Sequence, residues 1–148
     1  MFQSLLVATD GSKAAEKAVD YAVQFAKRHD SRLVICTVTS EKRVKLEAAE
    51  PNPPDVDANI SVDEAGGRIS TEALSRAEKV ALAAGVNYEL DEIYGRNVAA
   101  AIAKEASAIG VDHIVVGSTG MTQLATCVLG SVAQNVVHYA HCPVTVVR

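Results

Sequence analysis

Short apolar runs alternate along this chain with longer stretches in which apolar residues recur every three or four positions. The runs at 5–8 and 33–38 are typical of buried parallel strands, and further strands are predicted at 112–116, which ends in the apolar run 114–116, and at 144–147. The run at 86–93 instead alternates between apolar and polar residues, which indicates a strand near a sheet edge with one covered face. The pattern therefore predicts five strands.

The stretches between these strands have the period of amphipathic helices. Four helices are predicted, one after Ser12, one from 69 to 84, one after Asn97 and one from 131 to about 140. Ser12 and Asn97 occupy N-cap positions, and Gly85 stands where a glycine commonly ends a helix. Because strands and helices alternate, the sequence predicts a doubly wound, five-stranded, mostly parallel α/β sheet in a single domain, residues 1–148.

The stretch from 39 to 65 breaks this alternation. It is rich in charged residues, has no clear apolar period and contains Pro51, Pro53 and Pro54, which exclude regular structure locally. We expect an irregular excursion at the carboxyl edge of the sheet, with a helical turn around 44–49.

The segment 115–132, VVGSTGMTQLATCVLGSV, carries the most distinctive pattern in the chain. A strand that stops at Gly117 and Gly120 exposes unpaired backbone N–H groups, and a helix that begins after Gly130 adds its own free amides and the positive end of its dipole. Two interpretations stay open here. Either these donors cradle the phosphates of a nucleotide, or the glycines make turns and Ser131 caps a helix.

Asp10 is an acidic residue at the carboxyl tip of a predicted strand. In a doubly wound sheet, ligands bind beyond the strand tips where the winding reverses, which would bring Asp10, Val38 and the glycine segment to one crevice. The Asp10 carboxylate either accepts hydrogen bonds from the following backbone N–H groups or contacts a sugar hydroxyl or a phosphate-bound cation.

Composition and missing motifs exclude several functions. A net charge of −4 and 4% aromatic residues disfavour a nucleic-acid partner. The sequence contains no GxxxxGK[ST], GxGxxG or GxSxG motif and no His/Cys pair at zinc spacing, so it favours binding over catalysis and predicts no metal site. With three cysteines, no signal-like N-terminus and no long apolar stretch, we expect a cytoplasmic protein without a membrane span.

The spacing Gly117-x2-Gly120-x9-Gly130-Ser131 resembles the Gly-x2-Gly-x9-Gly-[Ser/Thr] signature of nucleotide-binding universal stress proteins. The segments LLVATDGS, VICTV, DHIVVGSTG, LGSVAQNVV and HCPVTVVR are also similar to that family, and the likeness covers the whole chain. The resemblance implies a Rossmann-like, adenine nucleotide alpha hydrolase-like sandwich. It further implies a stress-response regulator that binds ATP, with negligible or very slow hydrolysis and with Mg²⁺ bound only through the phosphates.

The resemblance also implies a set of binding residues and a homodimer. Asp10 would lie on the adenosine side, Val38 would meet adenine through its backbone, and the glycine segment would surround ribose and phosphates. The implied site residues are Thr9, Asp10, Val38, Gly117, Ser118, Thr119, Gly120, Gly130, Ser131 and Val132. Two copies would pair through the strand Val144–Val147, which removes an exposed edge. The resemblance does not identify a client protein. A bulky residue at Gly117 or Gly130 is expected to abolish binding while leaving a folded dimer.

One departure from the family pattern bears on the ligand. Many universal stress proteins have Arg or His where this chain has Thr119, and residues 122–126 also lack a basic side chain. The missing positive charge favours AMP or cyclic AMP as alternatives to ATP. A third alternative is a protein–protein adaptor that uses the same fold without a nucleotide.

Overall fold

A computed structural model describes residues 2–39, 60–119 and 129–148 of the chain. This part of the chain forms five strands and four helices in alternation. In chain order they are β1 (Ser4–Ala8), α1 (Lys13–His29), β2 (Arg32–Thr39), α2 (Ile60–Ala84), β3 (Tyr88–Tyr94), α3 (Val98–Ala108), β4 (His113–Gly117), α4 (Ser131–Tyr139) and β5 (Val144–Val147).

The strands form one sheet in the order β3-β2-β1-β4-β5, and every neighbouring pair is parallel. This arrangement confirms the predicted doubly wound α/β sheet, including the place of β3 at an edge. Because β2 lies on one side of β1 and β4 lies on the other, the winding reverses between β1 and β4.

Two apolar cores lie on the two faces of the sheet. Leu5 and Val7 of β1 pack with α1 and α2, whereas Leu6 packs with α3 and α4. All three side chains are fully buried, so β1 is covered on both faces, as its continuous apolar run predicts. The buried face of α1 is mostly alanine, and these small side chains let the helix lie close to the strands.

Three helix ends agree with the sequence, whereas the starts of α4 and α2 differ from it. The Ser12 hydroxyl accepts a hydrogen bond from the Ala15 amide at 3.3 Å, and the Asn97 side chain caps α3 in the same way. Gly85 has a φ of +70° after α2. The cap of α4, however, is Gly130, and Ser131 is its first helical residue.

The predicted start of α2 is wrong by nine residues, because the helix begins at Ile60 and not at residue 69. It runs without a break through Gly66 and Gly67, whose poor helix propensity interrupts the apolar period that the prediction used. Residues 60–65 are therefore helical. Thr39 belongs to β2, and residues 40–59 of the expected excursion, including the turn at 44–49, lie outside the described residues.

The buried side chain of His113, at the start of β4, is expected to make the stability of the fold sensitive to acid. Its side chain is buried, Nε2 lies 2.8 Å from the Thr145 hydroxyl, and Nδ1 has no hydrogen-bond partner among the described residues. Burial lowers the pKa of His113, an effect that the neighbouring Asp112 carboxylate partly opposes. The unfolded chain then binds more protons than the folded one just below the ordinary histidine pKa, about 6.5.

The contribution of His113 to stability should consequently be constant above that pH and fall as the pH drops through it towards the folded-state pKa. We expect the Tm of the unaltered protein to fall more steeply between pH 7.5 and 5.5 than that of His113→Gln, whose amide does not titrate. Thermal denaturation of both proteins across this range measures the difference. Parallel curves would show that His113 is not the responsible group.

Candidate functional site

The tips of β1 and β4 lie side by side at the carboxyl edge of the sheet. The Thr9 amide donates to the Cys36 carbonyl of β2 at 2.9 Å, and the Ser118 amide donates to the Val147 carbonyl of β5 at 2.7 Å. These bonds continue the sheet pattern one residue beyond β1 and β4. They fix the two tips at the reversal of winding, where doubly wound sheets bind ligands.

The loop between β1 and α1 is held by its own side chains. The Thr9 hydroxyl accepts from the Gly11 amide at 3.2 Å, and Asp10 Oδ1 accepts from the Ser12 amide at 2.9 Å. Gly11 has a φ of +80°, which favours glycine. Asp10 therefore makes the predicted turn contact, while no hydrogen bond from a described residue reaches its second oxygen.

Gly117 lets the end of β4 lie directly on the first turn of α1. A Cβ at this position would stand 2.7 Å from the Ala14 carbonyl carbon and 2.8 Å from the Ala15 nitrogen. The Ser12 hydroxyl lies 3.5 Å from the Thr119 carbonyl oxygen, so a second contact joins the same two segments. Gly117 is thus required for the close packing of β4 on α1, a role that neither interpretation of the sequence includes.

Gly130 begins α4 without a capping side chain. Its amide donates to the Ser118 carbonyl at 2.7 Å, which fastens the start of α4 to the tip of β4. The next three amides, those of Ser131, Val132 and Ala133, lie in the first helical turn, where the helix itself offers no acceptor. None of these three amides donates to another residue that the structure describes, so the start of α4 presents donors and a positive dipole end at the crevice.

The structure brings together most of the predicted site residues that it describes, with Val38 farther away. Direct contacts link the segments 9–12, 117–119 and 130, and residues 131–132 follow in α4. Val38 lies on β2, half-buried and paired with Ile93 of β3, two residues beyond the Cys36 carbonyl that accepts from Thr9. Gly120 lies outside the described residues.

Arg76 of α2 also reaches this edge, and sequence reasoning missed it. Its Nη2 lies 3.4 Å from the Gly11 carbonyl oxygen, and its Nη1 forms an ion pair with Glu16 Oε1 at 2.9 Å. Arg76 belongs to no motif and lies on the exposed side of a helix, so no sequence pattern indicates its role.

Two further kinds of site are absent from the described ranges 2–39, 60–119 and 129–148. No group of three or more His, Cys, Asp or Glu side chains there could hold a metal ion. Within the same ranges, every helix is too short or too polar to cross a lipid bilayer.

Comparisons with known proteins agree on one family. The model of the Universal stress protein family matches residues 1–148. A putative universal stress protein of Staphylococcus haemolyticus is 34% identical over 148 residues, covering 99% of this chain and 85% of the relative. The universal stress protein YxiE of Bacillus subtilis is 35% identical over 150 residues, with both chains fully covered. A solved universal stress protein in complex with cAMP superposes with a TM-score of 0.71 at 28% identity, over 99% of this chain and 97% of that one.

Proposed function

This chain belongs to the universal stress protein family, and on that basis we propose that residues 1–148 form one domain that binds an adenine nucleotide. The start of α4 is the observation that carries the proposal. Gly130 has no side chain with which to occupy the free amides of the first turn, and its own amide holds the helix against the Ser118 carbonyl. A phosphate group supplies the acceptors that these amides lack.

Thr119 determines which nucleotide suits this site. Its side chain is uncharged and its carbonyl oxygen lies beside the Ser12 hydroxyl. At this position the phosphate charge is therefore balanced by backbone amides and the dipole of α4 and not by a basic side chain. A single phosphate group, as in AMP or cAMP, suits such a site better than ATP, whose triphosphate would bring Mg²⁺ with it. The complex of a related universal stress protein with cAMP supports this preference.

The ligand can be identified directly by mass spectrometry of small molecules released from the purified, heat-denatured protein. Calorimetric titration with ATP, AMP and cAMP, with and without Mg²⁺, then ranks their affinities. We expect binding of AMP or cAMP that does not depend on Mg²⁺. Absence of binding by all three would contradict the proposed function and favour a protein–protein adaptor.

We further propose that the protein acts as a homodimeric regulator with at most very slow ATP hydrolysis. The strand β5 ends the sheet, and its four residues are only half-buried. The Pro143 carbonyl accepts from Ile114 of β4, and the Val147 carbonyl accepts from Ser118 just beyond β4. By the alternation of a parallel ladder, the N–H and C=O of Val146 then face the open edge. These groups are available to a second β5 strand, which would remove the exposed edge.

Val146→Pro is expected to convert such a dimer to monomers, because proline removes the outward N–H without removing a bond to β4. Val146→Ala is the matched control, since it also shortens the side chain but keeps the N–H. Sedimentation velocity of both variants gives the oligomeric state. A dimeric Val146→Pro variant would rule out pairing through this edge.

A further inference from the structure

One peptide group at the crevice lies between a cation and a carboxylate. The carbonyl oxygen of the Gly11–Ser12 peptide accepts from Arg76 Nη2 at 3.4 Å. The N–H of the same peptide donates to Asp10 Oδ1 at 2.9 Å. Because the carbonyl and the N–H of a trans peptide point in opposite directions, Arg76 and Asp10 bind the two sides of one planar unit.

The position of Arg76 is itself constrained by its neighbours. Glu16 Oε1 binds its other terminal nitrogen at 2.9 Å, so the guanidinium bridges α1 and the loop that precedes it. A Cβ on Gly11 would stand 2.6 Å from Arg76 Nη2. The glycine therefore provides the positive φ of the loop and also the space that the guanidinium occupies.

We propose that Arg76 is a positioning residue of the nucleotide site, acting on Asp10 through the Gly11–Ser12 peptide. A charged donor on the carbonyl polarises the peptide and strengthens the hydrogen bond made by its N–H. The Asp10 carboxylate is thereby held through Oδ1 while Oδ2 is left to accept from the ligand. Holding the carboxylate before binding reduces the entropy lost when the ligand is bound. This inference rests on the proposed function.

The first test compares nucleotide affinity in four proteins by calorimetry with AMP and cAMP. We expect Arg76→Met to weaken binding about fivefold. Arg76→Lys should restore part of the loss, because lysine keeps the positive charge but lacks the two terminal nitrogens of the guanidinium group. Arg32→Met is the matched control. Arg32 forms a comparably exposed ion pair with Glu89 at the opposite edge of the sheet, and its loss should leave affinity unchanged.

A double-mutant cycle distinguishes positioning from a general structural role. If Arg76 acts through Asp10, Arg76→Met should have no further effect on affinity in an Asp10→Ala background, whereas additive effects would contradict the proposal. Hydrogen exchange gives a readout that needs no ligand: Ser12 amide protection should fall in Arg76→Met and stay unchanged in Arg32→Met. Unchanged protection in Arg76→Met would also overturn the proposal.

The same measurements distinguish a failure of the proposed function from a failure of the proposed role of Arg76. If the unaltered protein binds neither AMP nor cAMP, the proposed function fails, and the role of Arg76 in that site fails with it. If the unaltered protein binds and Arg76→Met binds equally well, only the role of Arg76 is contradicted.

Discussion

Replacing Gly130 by Asp is expected to weaken nucleotide binding by about a hundredfold or more, because the new side chain would take the place of the phosphate. The backbone of Gly130 is extended, with φ −61° and ψ 153°, as in ordinary N-cap residues, so a carboxylate there can accept from the first amides of α4. The ligand would then lose charge-assisted hydrogen bonds worth about 1.5–3 kcal/mol each and meet a negative charge.

Gly130→Ala is the matched control for this variant. Both substitutions place the same Cβ 3.0 Å from the Ser118 carbonyl oxygen, but only Asp adds an acceptor and a charge. We expect Gly130→Asp to fold at least as stably as Gly130→Ala, since a capping side chain stabilises a helix by about 1 kcal/mol relative to alanine. Calorimetric titration and thermal denaturation measure the two effects. Equal nucleotide affinity in both variants would contradict a phosphate at the start of α4.

Replacing Gly117 by Ala is expected to lower the free energy of unfolding by about 3 kcal/mol. The added methyl would overlap the backbone of Ala14 and Ala15, at 2.7–2.9 Å, and backbone cannot move aside as a side chain can. In a chain of this size the loss corresponds to a Tm lower by about 10 °C. The expectation that a bulky residue at Gly117 leaves the fold intact is therefore replaced by a prediction of instability.

Gly110→Ala provides the comparison for Gly117. Gly110 has a φ of +69°, and among the described residues no atom beyond its chain neighbours lies within 4 Å of an added Cβ. Alanine there meets only the strain of the left-handed conformation, about 1 kcal/mol. Chemical denaturation of both variants gives the two free energies. If Gly117→Ala were no less stable than Gly110→Ala, the close packing of β4 on α1 would not be the reason for this glycine.

The sequence was sufficient to predict the type of sheet because the position of each strand along the chain follows from local patterns. Continuous apolar runs indicate β1, β2 and β4, and the alternating run at 86–93 indicates the edge position of β3. The first turns of α1 and α3 were predictable for the same reason, since Ser12 and Asn97 cap their own helices. The start of α2 was not, because Gly66 and Gly67 weaken the helical period while the helix continues.

The candidate site was only partly predictable, because its geometry depends on contacts between distant segments. The spacing of glycines indicated donors at the tip of β4 but gave no sign that Gly117 lies against Ala14 and Ala15. The contact of Arg76 with Gly11 joins residues 65 positions apart. Such a contact leaves no pattern in either segment, so it becomes visible only when the fold brings α2 beside the loop.

The central claim, a phosphate bound at the start of α4, is tested most directly by amide NMR of the ¹⁵N-labelled protein titrated with AMP and, separately, with adenosine. Adenosine is the matched ligand because it lacks only the phosphate. We predict that AMP shifts the amide resonances of Ser131, Val132 and Ala133 and that adenosine leaves them largely unchanged. Phosphate-dependent shifts confined to another surface, such as the shallow depression on α1 lined by Tyr21, Phe25 and His29, would contradict it.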